Sequence, residues 1–364
     1  MTVNTSNNSL SDSISLNNIK RLKRSATIPI SPHKQFYKIF REDEIVEIIS
    51  DLKFKRQIKL KYRYFQEGSD YWNKFYFESP VTQVLSDLKN IVLNNLLYFV
   101  SDSKLVNIID IGPGNGYPVK DWLEKLNDLG ILNSYFCVDI SKEINDLVEQ
   151  NMQKWLPAMP VYKYQADIEQ TDIAKFLIKS KFHNQIEPSK ISNILLLFGN
   201  TICNFTDRVE VLKNLTRSMD INDLLVISYS TDIDSNKLFH QYTNHSNSKT
   251  HNNLCTWIPK ILGFDCNNKN LFTEYDDKIK AKIKYLKLTK NYILNINLFN
   301  QEIKIYFTQG EKISLWKHYL INENQIEKEF GEVGLELVFK QYDLQKSIAI
   351  VACRIKDVFN QRGF

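Results

Sequence analysis

The chain has 364 residues, of which 43% are hydrophobic, 24% charged and 12% aromatic, and it carries a formal net charge of +5. Those values exclude a mainly disordered chain, a coiled coil and a collagen-like repeat, and no run approaches the ~18 consecutive apolar residues that a membrane span needs. The mild charge, spread over interleaved acidic and basic residues, gives no reason to expect a nucleic acid or a membrane as partner. At about 150 residues per domain, the length suggests roughly two domains. Five scattered cysteines form no C-x-x-C pair. They fit reduced thiols in a cytoplasmic protein and predict neither a disulfide framework nor a metal site. Glycines are few, eleven in all, so where each one falls is informative.

Residues 1–32 are rich in Ser and Asn and read as a disordered tail without the apolar region of a secretory signal. The basic run from Lys20 to Arg24 reads first as a solvated patch, with a contact arm as the alternative. Ile45, Ile48, Ile49 and Leu52 then share a helical face, a segment dense in aromatics spans 61–79, and Val84, Leu85, Leu88, Val92 and Leu96 mark a second helix. From residue 105 strands and helices alternate. Strands are predicted over 105–111, 135–140, 161–166, 191–198 and 224–230, with helices over 119–129, 143–156 and 207–218. The fourth strand is apolar throughout, as for a strand buried on both faces of a parallel sheet.

The alternation breaks at 233–275, which is polar and Asn-rich with a helix near 254–262. Over 278–308, Ile279, Ala281, Ile283 and Tyr285 alternate with lysines, which predicts antiparallel strands with one wet face. A helix over 323–333 ends at Gly334, and strands over 336–342 and 347–353 form a hairpin. The predicted fold is α/β: a Rossmann-like, seven-stranded, mostly parallel sheet with a C-terminal β-hairpin, plus a smaller α+β lobe. Residues 80–232 and 313–364 are assigned to the sheet domain, and 33–79 and 233–312 to the lobe.

The strongest local signal runs from Asn107 to Gly116: a buried strand, then glycines at alternate positions, then a helix. Gly112, Gly114 and Gly116 permit positive φ and close approach of a ligand to the backbone, and open α/β sheets bind ligands at the carboxyl ends of their strands. The pattern, with Asp110 at the strand end, differs from the dinucleotide fingerprint and looks like the first motif of class I methyltransferases, which cradles S-adenosylmethionine. Asp139, at the end of the second strand, can accept two ribose hydroxyls. Asp167 and Ile168, after the third, supply an acceptor and an apolar neighbour for an adenine. The fourth strand ends in Gly199-Asn200-Thr201-Ile202-Cys203-Asn204, where the methyl acceptor should sit. An Asn there both accepts from an amine and donates to a carboxylate, or it caps the following helix.

This last segment is similar to the G-S-T-x-G-N motif of the histidine-specific, S-adenosylmethionine-dependent methyltransferases of ergothioneine biosynthesis, which trimethylate the α-amine of free histidine. The resemblance covers roughly 55–354. It takes in Lys61 to Tyr64 with Gly68-Ser69, Tyr76, Asp110 to Gly116, Val138 to Ser141, Asp167, Tyr242, Asn252-Asn253 and Gly310 to Ile313. It implies that Asp110, Gly112, Gly114, Gly116, Asp139, Asp167 and Ile168 hold S-adenosylmethionine. It also implies that Tyr64, Tyr76, Asn204 and Tyr242 surround the acceptor's amine and carboxylate, with Tyr64, Asn204 and Tyr242 acting in the transfer.

The sequence departs from the family where a T-E-x-S pattern is expected, whose Glu and Ser bind the imidazole. By register these positions are Trp316 and His318. A site that hydrogen-bonds its substrate rejects analogues strongly, so histidine is not the expected acceptor. Trp316 points instead to a tryptophan- or tyrosine-like amino acid or derived amine. Two other readings compete: a class I methyltransferase acting on RNA or protein, using the basic tail with Lys53, Lys55, Arg56, Lys59 and Lys61, and a catalytically silent binding protein of the same fold. His240, His245 and His251 read as surface residues.

Overall fold

The computed structural model describes residues 26–78, 88–95, 97, 105–171, 173, 191–232 and 248–357. Its centre is a seven-stranded sheet of β2 (Leu105–Ile111), β3 (Leu132–Asp139), β4 (Val161–Gln165), β5 (Ile191–Leu197), β6 (Leu224–Ser230), β12 (Leu335–Tyr342) and β13 (Ile348–Ile355), numbered in chain order with the strands of the lobe below. The spatial order is β12-β13-β6-β5-β2-β3-β4. β13 runs antiparallel to β6 and to β12, and the other pairings are parallel.

Residues on opposite faces of the same strand enter different cores, which makes the sheet doubly wound. Ile109 and Ile111 pack with α5 (Arg208–Thr216) and α7 (Glu323–Glu332). Val106 and Ile108 pack with the helical segment 88–95, with α3 (Lys120–Asp128) and with α4 (Lys142–Trp155). Every residue of β5 and β6 is buried, as continuous apolar runs between two helical layers require. Side-chain caps fix where these helices begin. Ser141 Oγ accepts from Ile144 N at the start of α4, and Asp207 Oδ1 from Glu210 N at the start of α5. Asn204 is therefore not the cap of α5.

A second core joins chain segments far apart in sequence. It combines α1 (Glu42–Phe54), Ile58, Tyr62 and Phe65 with α6 (Lys249–Ile261) and two three-stranded sheets. One sheet has β9 (Asn291–Leu298) at its centre, flanked by β1 (Thr27–Ile30) and β10 (Gln301–Phe307). In the other, β8 (Ala281–Lys287) lies between β7 (Leu271–Asp276) and β11 (Lys312–Tyr319). Two boundaries move. Thr27–Ile30, assigned to the tail, pairs in parallel with Asn291–Leu294, because alternate residues of this short segment find an apolar partner in the lobe. β11, assigned to the end of the sheet domain, pairs with β8 instead, and the chain returns to the central sheet only after it.

The expected wet face of β8 is dry. Lys282 and Lys284 are 2% and 0% exposed, and Ala281 and Ile283 are buried on the other face. Alternation with lysine normally marks solvent, but here that face is covered by α6 and turned toward the cavity described below. His251, read as a surface residue, lies in this covering helix and is buried. His240 and His245 lie outside the described residues. No described helix is long and apolar enough to cross a membrane, and all five cysteines are free.

Candidate active site

A cavity of about 330 Å³ opens between the carboxyl ends of β2, β3, β4 and β5 and the lobe. Of the predicted site residues, Tyr64, Tyr76, Asp110, Gly112, Gly114, Asp139, Asp167, Ile168, Asn204, Trp316 and His318 all line it. Gly116 does not. Its added Cβ would meet Met152 Cε at 2.8 Å, so this glycine serves the packing of the loop on α4. Tyr242 lies outside the described residues.

One half of the cavity is acidic and glycine-walled. Gly112 and Gly114 have φ of +64° and +60°. A Cβ at Gly114 would stand 2.8 Å from Trp72 Nε1, so the loop presses directly on α2 (Glu67–Glu78). Asp110 is buried, and Tyr135 OH donates to its Oδ2 at 2.8 Å. Burial pushes its carboxyl up to about 7, against the Tyr135 hydrogen bond and the charge of Lys89. Asp139, on the cavity wall, accepts from Ser141 N at 2.8 Å, and burial likewise pushes it up to about 7. Asp167 is already engaged: Lys61 Nζ lies 2.7 Å from its Oδ2, and Glu169 N donates to its Oδ1 at 3.1 Å. Lys61 comes from a 3₁₀ turn of the lobe, Leu60–Tyr64, and also pairs with Glu47 at 2.8 Å.

Lys89 was not foreseen. It lies in the segment 88–95 between the buried Leu88 and Val92, lines the cavity and donates to Pro118 O. Burial pulls its ammonium down to about 8. The available signal was a lysine inside an otherwise apolar helix face just before the glycine motif.

The other half is aromatic and basic. Tyr64 OH accepts from Arg63 Nη2 at 3.0 Å, and its ring stands edge-on to Trp72 at 6.0 Å. Tyr76 packs between Trp72 and Tyr117, and burial pushes its hydroxyl up to about 12. The turn after β5 places Gly199 and Asn200 at positive φ and leads into a 3₁₀ turn, Thr201–Asn204. Asn200 Nδ2 donates to Ser230 Oγ at 3.0 Å. Asn200 Oδ1 and Asn204 Oδ1 are buried without a hydrogen-bond partner among the described residues. Such orphaned acceptors cost free energy unless a ligand satisfies them.

On β11, Trp316 stacks on His318 at 5.5 Å and meets His251 edge-on at 5.4 Å. His318 Nε2 lies 2.9 Å from Ser230 Oγ. Burial, then the charges of Lys282 and Arg63, push His318 down to about 3, so it is neutral at physiological pH.

A family model described as histidine-specific methyltransferase, SAM-dependent, matches residues 42–355. The chain belongs to that family. It is thus an S-adenosylmethionine-dependent methyltransferase, and the strand order with its antiparallel β13 is the class I methyltransferase topology. No curated protein matches the sequence. Among solved structures the chain is similar to an S-adenosylmethionine-dependent methyltransferase from Clostridium acetobutylicum ATCC 824. Identity is 11%, over 86% of this chain and 99% of that one, with a TM-score of 0.37. It is also similar to the magnesium protoporphyrin IX methyltransferase of Synechocystis PCC 6803 with bound SAH, at 11% identity over 81% of this chain and 98% of that one, with a TM-score of 0.43.

The family's cofactor fits the acidic half on structural grounds. The Gly112–Gly114 loop offers backbone without side chains at the sheet's carboxyl edge. Asp139 at the end of β3 offers a carboxylate on the wall.

Proposed function

We propose that this methyltransferase acts on the α-amine of a free amino acid, or of a small molecule derived from one, other than histidine. The observation that carries this reading is the buried, unpartnered Oδ1 of Asn204 on the cavity wall, at the strand end next to the glycine loop. A carbonyl oxygen in that state suits an ammonium N–H. Trp316 and His318 stand where the family's imidazole-binding Glu and Ser are expected. Trp316 offers an aromatic wall for a tryptophan- or tyrosine-like acceptor, and neutral His318 is already engaged with Ser230.

When bound, S-adenosylmethionine supplies a methyl group on a positively charged sulfur. Gly112 and Gly114 would hold its backbone-facing side, Asp139 the ribose hydroxyls and Ile168 the adenine. Asp167, held by Lys61, would act chiefly as a clamp between sheet and lobe. Lys89 joins this set as a cation on the wall near Asp110. The acceptor arrives as an ammonium, and Asn204 Oδ1 would orient one N–H while another proton is lost to solvent, freeing the attacking lone pair. Tyr64, with its oxygen held by Arg63, would donate its own hydroxyl hydrogen to the acceptor's carboxylate. The rings of Tyr64, Trp72 and Tyr76 would tolerate a methylated, cationic product. Positioning and water exclusion carry this reaction, and no strong base is needed.

A polynucleotide or protein acceptor finds little support in the basic stretch, where four of the five named cations are held by carboxylates and Lys53 lies over the Phe54 ring. Lys55 pairs with Asp51, Arg56 with Glu311, Lys59 with Glu47, and Lys61 with Glu47 and Asp167. A silent binding protein would not need its cofactor loop, Asp139 and Asn204 to remain in place together. The test is methyl transfer from isotopically labelled S-adenosylmethionine to a panel of free amino acids and amines, with Asn204→Ala alongside. The variant should lose at least tenfold in kcat/KM, and full activity in it would remove Asn204 from the site.

A further inference from the structure

The family's motif at the end of the fourth strand reads G-S-T-x-G-N, and this chain sets Asn200 where that motif has Ser. Asn200 is 4% exposed and lines the cavity together with Asn204, from the same turn. The turn is tight. Cys203 N donates to Asn200 O at 3.0 Å, and Asn200 itself sits at φ +60°, in the left-handed region that Asn tolerates. Its side chain is held by the nitrogen end. Asn200 Nδ2 donates to Ser230 Oγ at 3.0 Å, and the buried Ser230 hydroxyl has His318 Nε2, 2.9 Å away, to receive its own hydrogen. Asn200 N is fixed in turn by Ser228 Oγ at 3.0 Å. An amide pinned at its nitrogen cannot turn its oxygen toward another partner. Asn200 Oδ1 therefore stays buried without one among the described residues, as Asn204 Oδ1 does.

Two orphaned carbonyl oxygens on one turn match the hydrogen-bonding needs of an attacking primary amine. Such an amine presents its carbon stem, its lone pair and two N–H bonds. With the lone pair turned toward the incoming methyl group, both N–H bonds need acceptors. Resting on the amine-methylation reading above, we propose that Asn200 Oδ1 and Asn204 Oδ1 each take one N–H of a primary amine, and that this pairing limits the enzyme to one methyl group per acceptor. In the transfer the nitrogen lone pair forms the new N–C bond, and the C–S bond breaks with its electron pair kept by sulfur. The product is a secondary ammonium, which still has two N–H bonds for the two oxygens. To react again it must lose one of those protons to solvent and turn the freed lone pair toward the next methyl group. The first methyl then stands where an N–H stood, against a carbonyl oxygen that is left buried and unsatisfied. A Ser at position 200 is shorter, and its hydroxyl can rotate, so it leaves room for that methyl.

The test is mass spectrometry, over time, of the full chain incubated with excess S-adenosylmethionine and the common free amino acids together with their decarboxylated amines. The expected product gains one methyl group and stays there. The N-methyl form of the same acceptor should be used at least tenfold less well in kcat/KM than the unmethylated form. Asn200→Ser should narrow that ratio and let a dimethylated amine accumulate, with S-adenosylhomocysteine affinity reporting that the variant is folded. Dimethylated or trimethylated amine accumulating from the parent chain would overturn the proposal and leave the amine reading standing. So would a folded Asn200→Ser that still stops at one methyl group. Methyl groups found on oxygen or sulfur alone, or on no acceptor, would remove the amine reading itself and this proposal with it.

Discussion

The glycine loop gives the sharpest quantitative test of where the cofactor sits, because three glycines of similar φ differ in what a new methyl group would meet. Gly130 has φ +69° and open space around an added Cβ. Gly130→Ala therefore measures the backbone cost alone, about 1–2 kcal/mol for a left-handed L-residue. Gly116 has φ +78°, and its Cβ would meet the flexible end of Met152 at 2.8 Å. That adds overpacking of the order of 1 kcal/mol, at the low end of its usual range, and touches no cavity residue. Gly114 has φ +60°, and its Cβ would meet the Trp72 indole at 2.8, 3.3 and 3.4 Å. A rigid ring cannot turn aside as a methionine tip can, so the overpacking cost there is about 2–3 kcal/mol.

Denaturant unfolding should accordingly rank the Ala variants Gly130, Gly116, Gly114, with losses near 1–2, 2–3 and 3–5 kcal/mol. Binding of S-adenosylhomocysteine should follow a different pattern. Gly114→Ala should lose at least tenfold in affinity, about 1.4 kcal/mol, because Trp72 must move into the cavity. Gly116→Ala and Gly130→Ala should bind within about twofold of the parent chain, less than 0.5 kcal/mol. Parental affinity in folded Gly114→Ala, or an equal loss in Gly116→Ala, would refute the placement of the cofactor against the Gly112–Gly114 wall.

Other outcomes follow from the same geometry. Burial pushes the Asp139 carboxyl up to about 7, and ribose hydroxyls donating to it would favour its charged form. Affinity for S-adenosylhomocysteine should therefore rise from pH 6 to pH 8, and binding near pH 7 should release protons, measurable by calorimetry in buffers of different ionisation heat. Asp139→Asn should flatten that profile and cost at least tenfold at pH 8. Away from the site, Arg208 and Glu329 form a buried two-point ion pair at 2.9 and 2.6 Å that ties α5 to α7. Arg208→Met should destabilise the chain by about 3–5 kcal/mol by stranding the carboxylate. Adding Glu329→Leu should recover much of that in denaturant melts, and no recovery would mean that the arginine acts through packing alone.

The sheet domain was legible because its strands are apolar runs punctuated by turn residues, and because motif residues fall at strand ends where the backbone direction fixes their exposure. Asp110, Asp139, Ile168 and Asn204 reach the cavity for that reason. The lobe was harder to read. Lys282 and Lys284 carry a solvent-like alternation, yet both are buried, and α6, distant in sequence, brings His251 against Lys284. Asp167 lines the cavity, but its pairing with Lys61 joins residues 106 positions apart, which local pattern cannot show. Gly116 belongs to the motif yet faces α4, because a glycine string records backbone conformation and not what each residue faces. Lys89 was hidden by its apolar neighbours, which made it look like one polar position on an ordinary amphipathic helix.

The most direct test of the central claim is mass spectrometry of the chain incubated with S-adenosylmethionine and an equimolar mixture of free amino acids and derived amines. The account predicts methyl groups on the α-amine of an acceptor other than histidine, lost in Asn204→Ala. Exclusive methylation of histidine, or methyl groups found only on oxygen or sulfur, would contradict it.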